Sequence, residues 1–312
     1  MRIKNLIGLC ALAGCLSLGV GSAVASTIYW TDYAADDSGA IYSLDSTTLA
    51  SSPVIASGVS RGYRMAADTV AGQVYWTTVS GSGIYKANVD GSAMDLVLAT
   101  RAPSTQGIAV DHASGKLYYT QGSMLRVVDL DGSNDTLLYD AGSVQLQDVK
   151  IDAANGRLFL TEWDGTPASH GRIISTALDG SNVQTVLADI ENGPVSLDLD
   201  ASSGMIYWVG YGLDERVGGL HRVAMDGTGA TTILADIDAE SLALDLSEGY
   251  AYMVTPNQSL TAGEISRVAL DGSGFETISL PAGAIPVGLT VVPEPASVVL
   301  LVIGATMLAR RR

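Results

Sequence analysis

The stretch LYYTQGSMLRVVDLDGSNDTLLY, residues 117–139, holds three short β-rich runs and the turns between them. Leu117-Tyr118-Tyr119-Thr120 and Leu125-Arg126-Val127-Val128-Asp129-Leu130 are strands by their aromatic and β-branched content. Asp131-Gly132-Ser133 then turns the chain, because Asp and Gly tolerate the left-handed conformations of a tight hairpin. Thr136-Leu137-Leu138-Tyr139 is a third strand.

The same unit recurs along the chain. Asp-Gly followed by Ser or Thr stands at Asp90, Asp131, Asp179, Asp226 and Asp271, with Asp45-Ser46-Thr47 as a weaker first copy. Asp45 to Asp271 is 226 residues over five intervals, a period near 45. An aromatic-rich strand precedes each turn: Ile28 to Thr31, Val74 to Thr77, Leu117 to Thr120, Leu158 to Thr161, Ile206 to Val209 and Ala251 to Val254. A fourth strand of smaller residues lies between copies, at Met65 to Asp68, Ile108 to Asp111, Val149 to Asp152, Leu197 to Asp200 and Leu242 to Asp245. Four strands per period of about 45 residues is the pattern of a β-propeller blade. Small side chains suit the crowded strand nearest the axis. Six aromatic strands need six inner strands, yet only five lie between copies. Gly288-Leu289-Thr290-Val291 supplies the sixth, and its pairing with the first blade closes the ring and leaves no open edge. The expected fold is therefore all-β, a six-bladed propeller over residues 26–292.

These residues resemble the YWTD repeats of low-density-lipoprotein-receptor propellers, six of which make one ring. Tyr29-Trp30-Thr31-Asp32 carries the full tetrad, and its aspartate is replaced by Thr78, Gln121, Glu162, Gly210 and Thr255 in later copies. WD40 is a poorer match, since Trp163-Asp164 does not recur with the repeat.

Both chain ends read as addresses. Arg2 and Lys4, the apolar run Leu6 to Val20 and Ala23-Val24-Ala25 form an export signal over residues 1–25. Leu12-Ala13-Gly14-Cys15 offers a second reading, as a lipoprotein box. Cys10 and Cys15 both fall within this signal, so the exported chain has no disulfide and no thiolate chemistry. Residues 293–312 resemble a PEP-CTERM sorting signal: Pro293-Glu294-Pro295, an apolar run from Ala296 to Ala309, then three arginines. That run spans about 21 Å as a helix, short of the roughly 30 Å of a bilayer core. The resemblance implies transient inner-membrane anchoring and an exosortase-type partner, in a Gram-negative bacterium that exports the protein to its surface or matrix. A simple short anchor is the alternative.

Between these addresses lie 32 acids and 12 bases, a net charge of −20. Such a surface repels phosphate backbones, which argues against nucleic-acid binding. Basic proteins, polysaccharides and calcium remain as ligands. No G-x-S-x-G, Walker or H-E-x-x-H motif occurs, and the three histidines are scattered: His112 in a turn, His221 at a surface strand position, His170 in a polar loop.

Chain geometry puts the links between blades on one face, together with the loops that leave the aromatic strands. The Asp-Gly turns lie on the opposite face. The link face has the long, unequal loops, where specificity resides on a rigid scaffold. Tyr63, Arg64, Glu162, Trp163, Tyr211 and Asp214 are its candidate ligand-binding residues. Exposed Tyr63, Trp163 and Tyr211 would stack on sugar rings, and Asp32, Asp36 and Asp37 would offer hard oxygens to calcium. A non-catalytic binding or structural module is the reading these residues favour. A propeller-scaffold enzyme, a metal-dependent lactonase or a lyase, is the alternative, and carboxylates converging on the axis would mark it. Asp148, Asp198 and Glu240 lie nearest to the inner strands.

Overall fold

The computed structural model describes residues 25–34, 38–79, 83–101, 103–163, 170–191, 193–210, 218–256 and 261–293. They form six four-stranded antiparallel sheets. From the axis outward, the inner strands are Pro286–Pro293, Gly62–Asp68, Thr105–Asp111, Gln145–Asp152, Pro194–Asp200 and Ser241–Asp245, for blades one to six. The aromatic strands are Ser26–Asp32, Gln73–Thr78, Lys116–Gln121, Arg157–Trp163, Met205–Gly210 and Tyr250–Pro256. The third strands are Ala40–Asp45, Ile84–Asn88, Met124–Asp129, Gly171–Ala177, Gly219–Ala224 and Gly263–Ala269. The outer strands are Ser51–Ile55, Asp95–Leu98, Thr136–Asp140, Gln184–Ile190, Thr231–Ala235 and Glu276–Ile278. The inner strands of successive blades are neighbours all the way round, blade six meeting blade one.

Blade one is closed as expected. Its inner strand comes from the far end of the chain and pairs Ile28 with Val291, Tyr29 with Thr290 and Trp30 with Leu289. The strand runs further than Gly288 to Val291, and pairs Pro293 with Ser26, so the first residue of the Pro-Glu-Pro triplet belongs to the sheet. Glu294 and Pro295 lie outside the described residues, as do the export signal and the apolar run.

The core lies between blades. One buried cluster joins Tyr29, Ile41, Ile55 and Val59 of blade one to Met65, Val74, Trp76 and Ala87 of blade two, and the other junctions repeat this mixing. Each fully buried side chain of this kind contributes about 1.5–3 kcal/mol. The repeated Asp-Gly turns are placed by the same packing. Gly91, Gly132, Gly180, Gly227 and Gly272 have φ between 79° and 89°. A Cβ on any of them would stand 2.0–2.8 Å from a carbonyl of the preceding blade's outer strand. Glycine is thus required twice, for its backbone and for its closeness. Blade one lacks this glycine; there the Ser46 carbonyl instead accepts a hydrogen bond from Arg267 of blade six, at 2.7 Å.

Inner strands begin earlier than their hydrophobic pattern suggests. In blades one to five they reach the aromatic strand through a bulge, at Gly62 to Met65, Thr105 to Ile108, Leu146 to Asp148, Pro194 to Ser196 and opposite Trp30 to Asp32. The tetrad threonine holds the bulged N–H: Thr31 that of Gly288, Thr77 that of Arg64, Thr120 that of Gly107 and Thr161 that of Asp148, at 2.8–3.2 Å. Thr31 and Thr77 also donate to carbonyls of the next blade, Tyr63 and Gln106. Where the threonine is Val209 or Val254, Ser196 and Ser241 accept the neighbouring N–H groups of Leu242 and Leu289.

Candidate functional site

The bulges of blades one to five extend those inner strands towards the link face and bring Arg64, Gly107, Asp148, Ser196 and Gly288 level with Ser241, which begins the unbulged strand of blade six. Two residues further on, Ala66, Ala109, Lys150, Asp198, Ala243 and Thr290 form a second layer. The strands are pleated, so both layers face the same way, and the second lines the axial channel.

Arg64 closes the first layer. Its guanidinium donates to the carbonyl of Val195 in the opposite blade at 3.1 Å, and to the carbonyl of Glu240. The Glu240 carboxylate lies 3.5 Å from the same guanidinium and accepts the Tyr63 hydroxyl. Arg64 also stacks on the Tyr63 ring, 4.7 Å from its centroid. Burial pulls the Arg64 pKa down, but Tyr63, Glu240 and Asp148 more than offset this, and the net shift is upward. Burial, with the Glu240 charge beside it, pushes the Tyr63 phenol well above its ordinary value. Tyr63 and Arg64 therefore come together at the axis, although they are positioned by the fold as much as offered to a ligand.

Asp148, Asp198 and Glu240 all approach the axis. Asp148 lies within a strand, where the sequence pattern placed it just outside one. Its oxygens accept the Ser196 hydroxyl at 2.8 Å and the N–H groups of Val149 and Leu197. Asp198 accepts the N–H groups of Leu199 at 2.9 Å and Leu244 at 2.8 Å. Burial pushes its carboxyl up, against the pull of the Lys150 ammonium and these two bonds. No group of three His, Cys, Asp or Glu among the described residues is arranged to hold a metal ion. Asp32 spends one oxygen on the Ile285 N–H at 2.7 Å, and burial raises its pKa. Asp36 and Asp37 lie outside the described residues.

The remaining candidates separate. Glu162 and Trp163 end a strand instead of lying in a loop. Trp163 is only 8% exposed, and the expectation of a free stacking surface is corrected: its ring lies flat on Gly193, where a Cβ would stand 2.1 Å from the indole. Trp163 packs there with Val195 and Leu220 in the junction between blades four and five. Glu162 is buried, paired with Arg172 and accepting the Tyr139 hydroxyl at 3.2 Å. Tyr211 and Asp214 lie outside the described residues. His221, expected at a surface position, is half-buried and stacks on Trp208 with centroids 5.1 Å apart; burial lowers its pKa. His112 meets Asp68 at 2.8 Å across the junction of blades two and three, and His170 lies 3.9 Å from Asp189. Sequence reasoning missed Lys150 and Thr290. Aligning the six inner strands residue by residue brings both out, because all other members of their layer but Asp198 are alanine.

No family model matches the chain. Two curated relatives are a receptor and a receptor-related protein. The vitellogenin receptor Yl of Drosophila melanogaster is 30% identical over 165 residues, which is 52% of this chain and 8% of that protein. Low-density lipoprotein receptor-related protein 1 of Pyricularia oryzae is 40% identical over 68 residues, 21% of this chain and 22% of that protein. The chain thus spans under a quarter of the length of either. Among solved structures, a chain in a nidogen/laminin complex aligns with a TM-score of 0.72 and 20% identity, over 86% of this chain and 98% of that one. TolB from Acinetobacter baumannii aligns at 0.68 and 9% identity, over 86% and 67%. In fold the chain is a six-bladed propeller, and low-density-lipoprotein-receptor-type YWTD propellers are among its homologues.

Proposed function

We propose that this chain is an exported, non-catalytic binding module of a Gram-negative bacterial surface or matrix, which docks a basic protein partner on its link face. The observation that carries this reading is the Glu240 carboxylate, 20% exposed and held at the axis by Tyr63 and Arg64. A fixed carboxylate at the centre of a ring with a net charge of −20 suits an incoming Lys or Arg. Sugar stacking is less well served. Trp163 is packed into a blade junction, and one face of Tyr63 is covered by Arg64. The receptor relatives and the nidogen/laminin likeness support protein docking over polysaccharide binding.

Parallel peptide and glycan arrays test the reading, with and without calcium. Lys- and Arg-rich peptides should bind at about 50 mM salt and release by about 500 mM, as screening demands. Glu240→Gln should weaken that binding. Glycans bound irrespective of salt, with no basic peptide bound, would reverse the choice of ligand. The sorting signal is a separate part of the proposal: replacing Pro293-Glu294-Pro295 should leave the protein in the inner-membrane fraction, as loss of cleavage by an exosortase-type enzyme requires. Release unchanged by that replacement would exclude this route.

A further inference from the structure

Beyond the Arg64 layer the axial channel widens into a cavity of about 250 Å³, towards the Asp-Gly turn face. None of the first-layer residues lines it, so the Arg64 layer lies beyond it on the link-face side. Ala66, Ala109 and Ala243 leave the room, and three polar side chains face it: Lys150, Asp198 and Thr290. Lys150 and Thr290 come from opposite blades, four and one.

These polar groups are unequally occupied. Among the described residues the Lys150 ammonium feels two carboxylates, Asp148 Oδ2 at 3.8 Å, beyond hydrogen-bond distance, and Asp198, whose carboxyl it pulls down. The Asp148 oxygen already serves Ser196 and Leu197. Lys150 therefore keeps its donors for the cavity. Each oxygen of Asp198 takes one backbone N–H and retains a second acceptor direction. The cavity thus offers one cationic donor group and one carboxylate side by side within an otherwise apolar ring.

We propose that this cavity binds a small zwitterion, a free α-amino acid with a short aliphatic side chain. Its carboxylate meets Lys150, its ammonium meets Asp198, and its side chain lies against the alanines and Leu244. A simple anion would also face the Asp198 carboxylate. A simple cation would face Lys150. A ligand carrying both charges finds an opposite partner for each in the cavity, where a single charge would meet a group of its own sign, and charges leaving water demand such pairing. At about 30 Å³ per water the space equals roughly eight waters, room enough for an amino acid from alanine to leucine. Entry is from the turn face, so this site is independent of docking on the link face.

Isothermal titration of the purified protein tests it, with alanine, valine and leucine as ligands, propionate and butylamine as half-ligands, and glucose as a neutral competitor. At least one amino acid should bind with Kd below about 1 mM, and each half-ligand at least about tenfold more weakly, one missing charge pair costing about 1.4 kcal/mol or more. Lys150→Met and Asp198→Asn should each weaken binding about tenfold or more, with circular dichroism confirming the fold. Ala109→Val, which fills space and removes no charge, should do the same, and serves if a charge variant fails to fold. Absence of heat with every amino acid at about 10 mM, affinity unchanged in all variants, or glucose bound more tightly than any amino acid would overturn the assignment.

Discussion

Ring closure by the strand Pro286–Pro293 makes a prediction that two truncations can separate. A chain ending at Ala284 loses the whole strand; one ending at Pro293 keeps it. Val287 and Leu289 are each 2% exposed, and Leu289 packs with Trp30, Tyr252 and Ala243. Their burial contributes about 1.5–3 kcal/mol each. The ladder to Ser26–Asp32 adds about half a dozen backbone bonds, each worth about 1 kcal/mol net. Two junctions fail at once, because Leu289 N–H reaches Ser241 of blade six, and the close fit of Gly288 against the Tyr63 carbonyl joins blade two. The loss is on the order of 10 kcal/mol, comparable to the 5–15 kcal/mol that stabilises a typical domain. The chain ending at Ala284 should therefore be unfolded or molten at 25 °C by near-ultraviolet circular dichroism. The chain ending at Pro293 should melt cooperatively. Leu289→Ala grades the effect, at about 2–5 kcal/mol in urea titration. A cooperative melt of the Ala284 chain within a few degrees of the Pro293 chain would refute closure by this strand.

Gly180→Ala should destabilise by more than Gly115→Ala in urea titration, since both have positive φ but only Gly180 abuts a carbonyl, that of Leu138 at 2.4 Å; the left-handed conformation alone costs about 1–2 kcal/mol. Arg64→Met should cost about 3–5 kcal/mol by leaving Glu240 and Asp148 without their buried cation, and adding Glu240→Gln should recover part of that loss. The Asp198 carboxyl is raised by burial, so its contribution is present below the unfolded aspartate pKa and is lost as pH rises through the folded value. The stability difference between wild type and Asp198→Asn should accordingly move in favour of wild type as pH falls, and a flat difference would contradict the raised value. The turn aspartates Asp90, Asp131, Asp179, Asp226 and Asp271 run the opposite way, held low first by the hydroxyl of the following Ser or Thr; carboxyl NMR titration should find them below the free-aspartate range.

Fold and site differ in how far the amino-acid order reveals them. Blade number was legible because each Asp-Gly turn answers a local demand, positive φ, and a repeated packing demand, contact with the preceding blade's carbonyl. The closing strand was legible because an all-β ring leaves one inner strand owing. Trp163 was misjudged because its burial depends on Gly193, thirty residues away and in the next blade's link. The start of the inner strands was misjudged because Arg64 and Asp148 are polar residues in bulges held by threonine hydroxyls from another strand. Lys150 with Asp198 is a pair that exists only once blades four and five stand side by side.

Degeneracy at the fourth tetrad position has a physical role in this ring. Asp32 accepts the Ile285 N–H and ties down the link that leads to the closing strand. Thr78 uses its hydroxyl both to accept the Gly83 N–H and to donate to the Gly83 carbonyl, pinning the loop that leaves its own strand. Gln121 donates to the carbonyls of Arg101 and Pro103, and so holds the link between blades two and three. Glu162 pairs with Arg172 and Tyr139. Gly210 has no side chain, and its carbonyl lies so near Gly218 that a Cβ there would stand 2.1 Å away. Each residue stands at the link-face end of an aromatic strand; Asp32, Thr78 and Gln121 anchor links or loops, while Glu162 ties two strands and Gly210 leaves room for Gly218. Tyrosine, tryptophan and threonine of the tetrad face the blade interior or the neighbouring strand, where the geometry repeats, and they can recur. The fourth residue meets a different neighbour in each of these blades, so its variation accompanies the unequal link face on which docking is proposed.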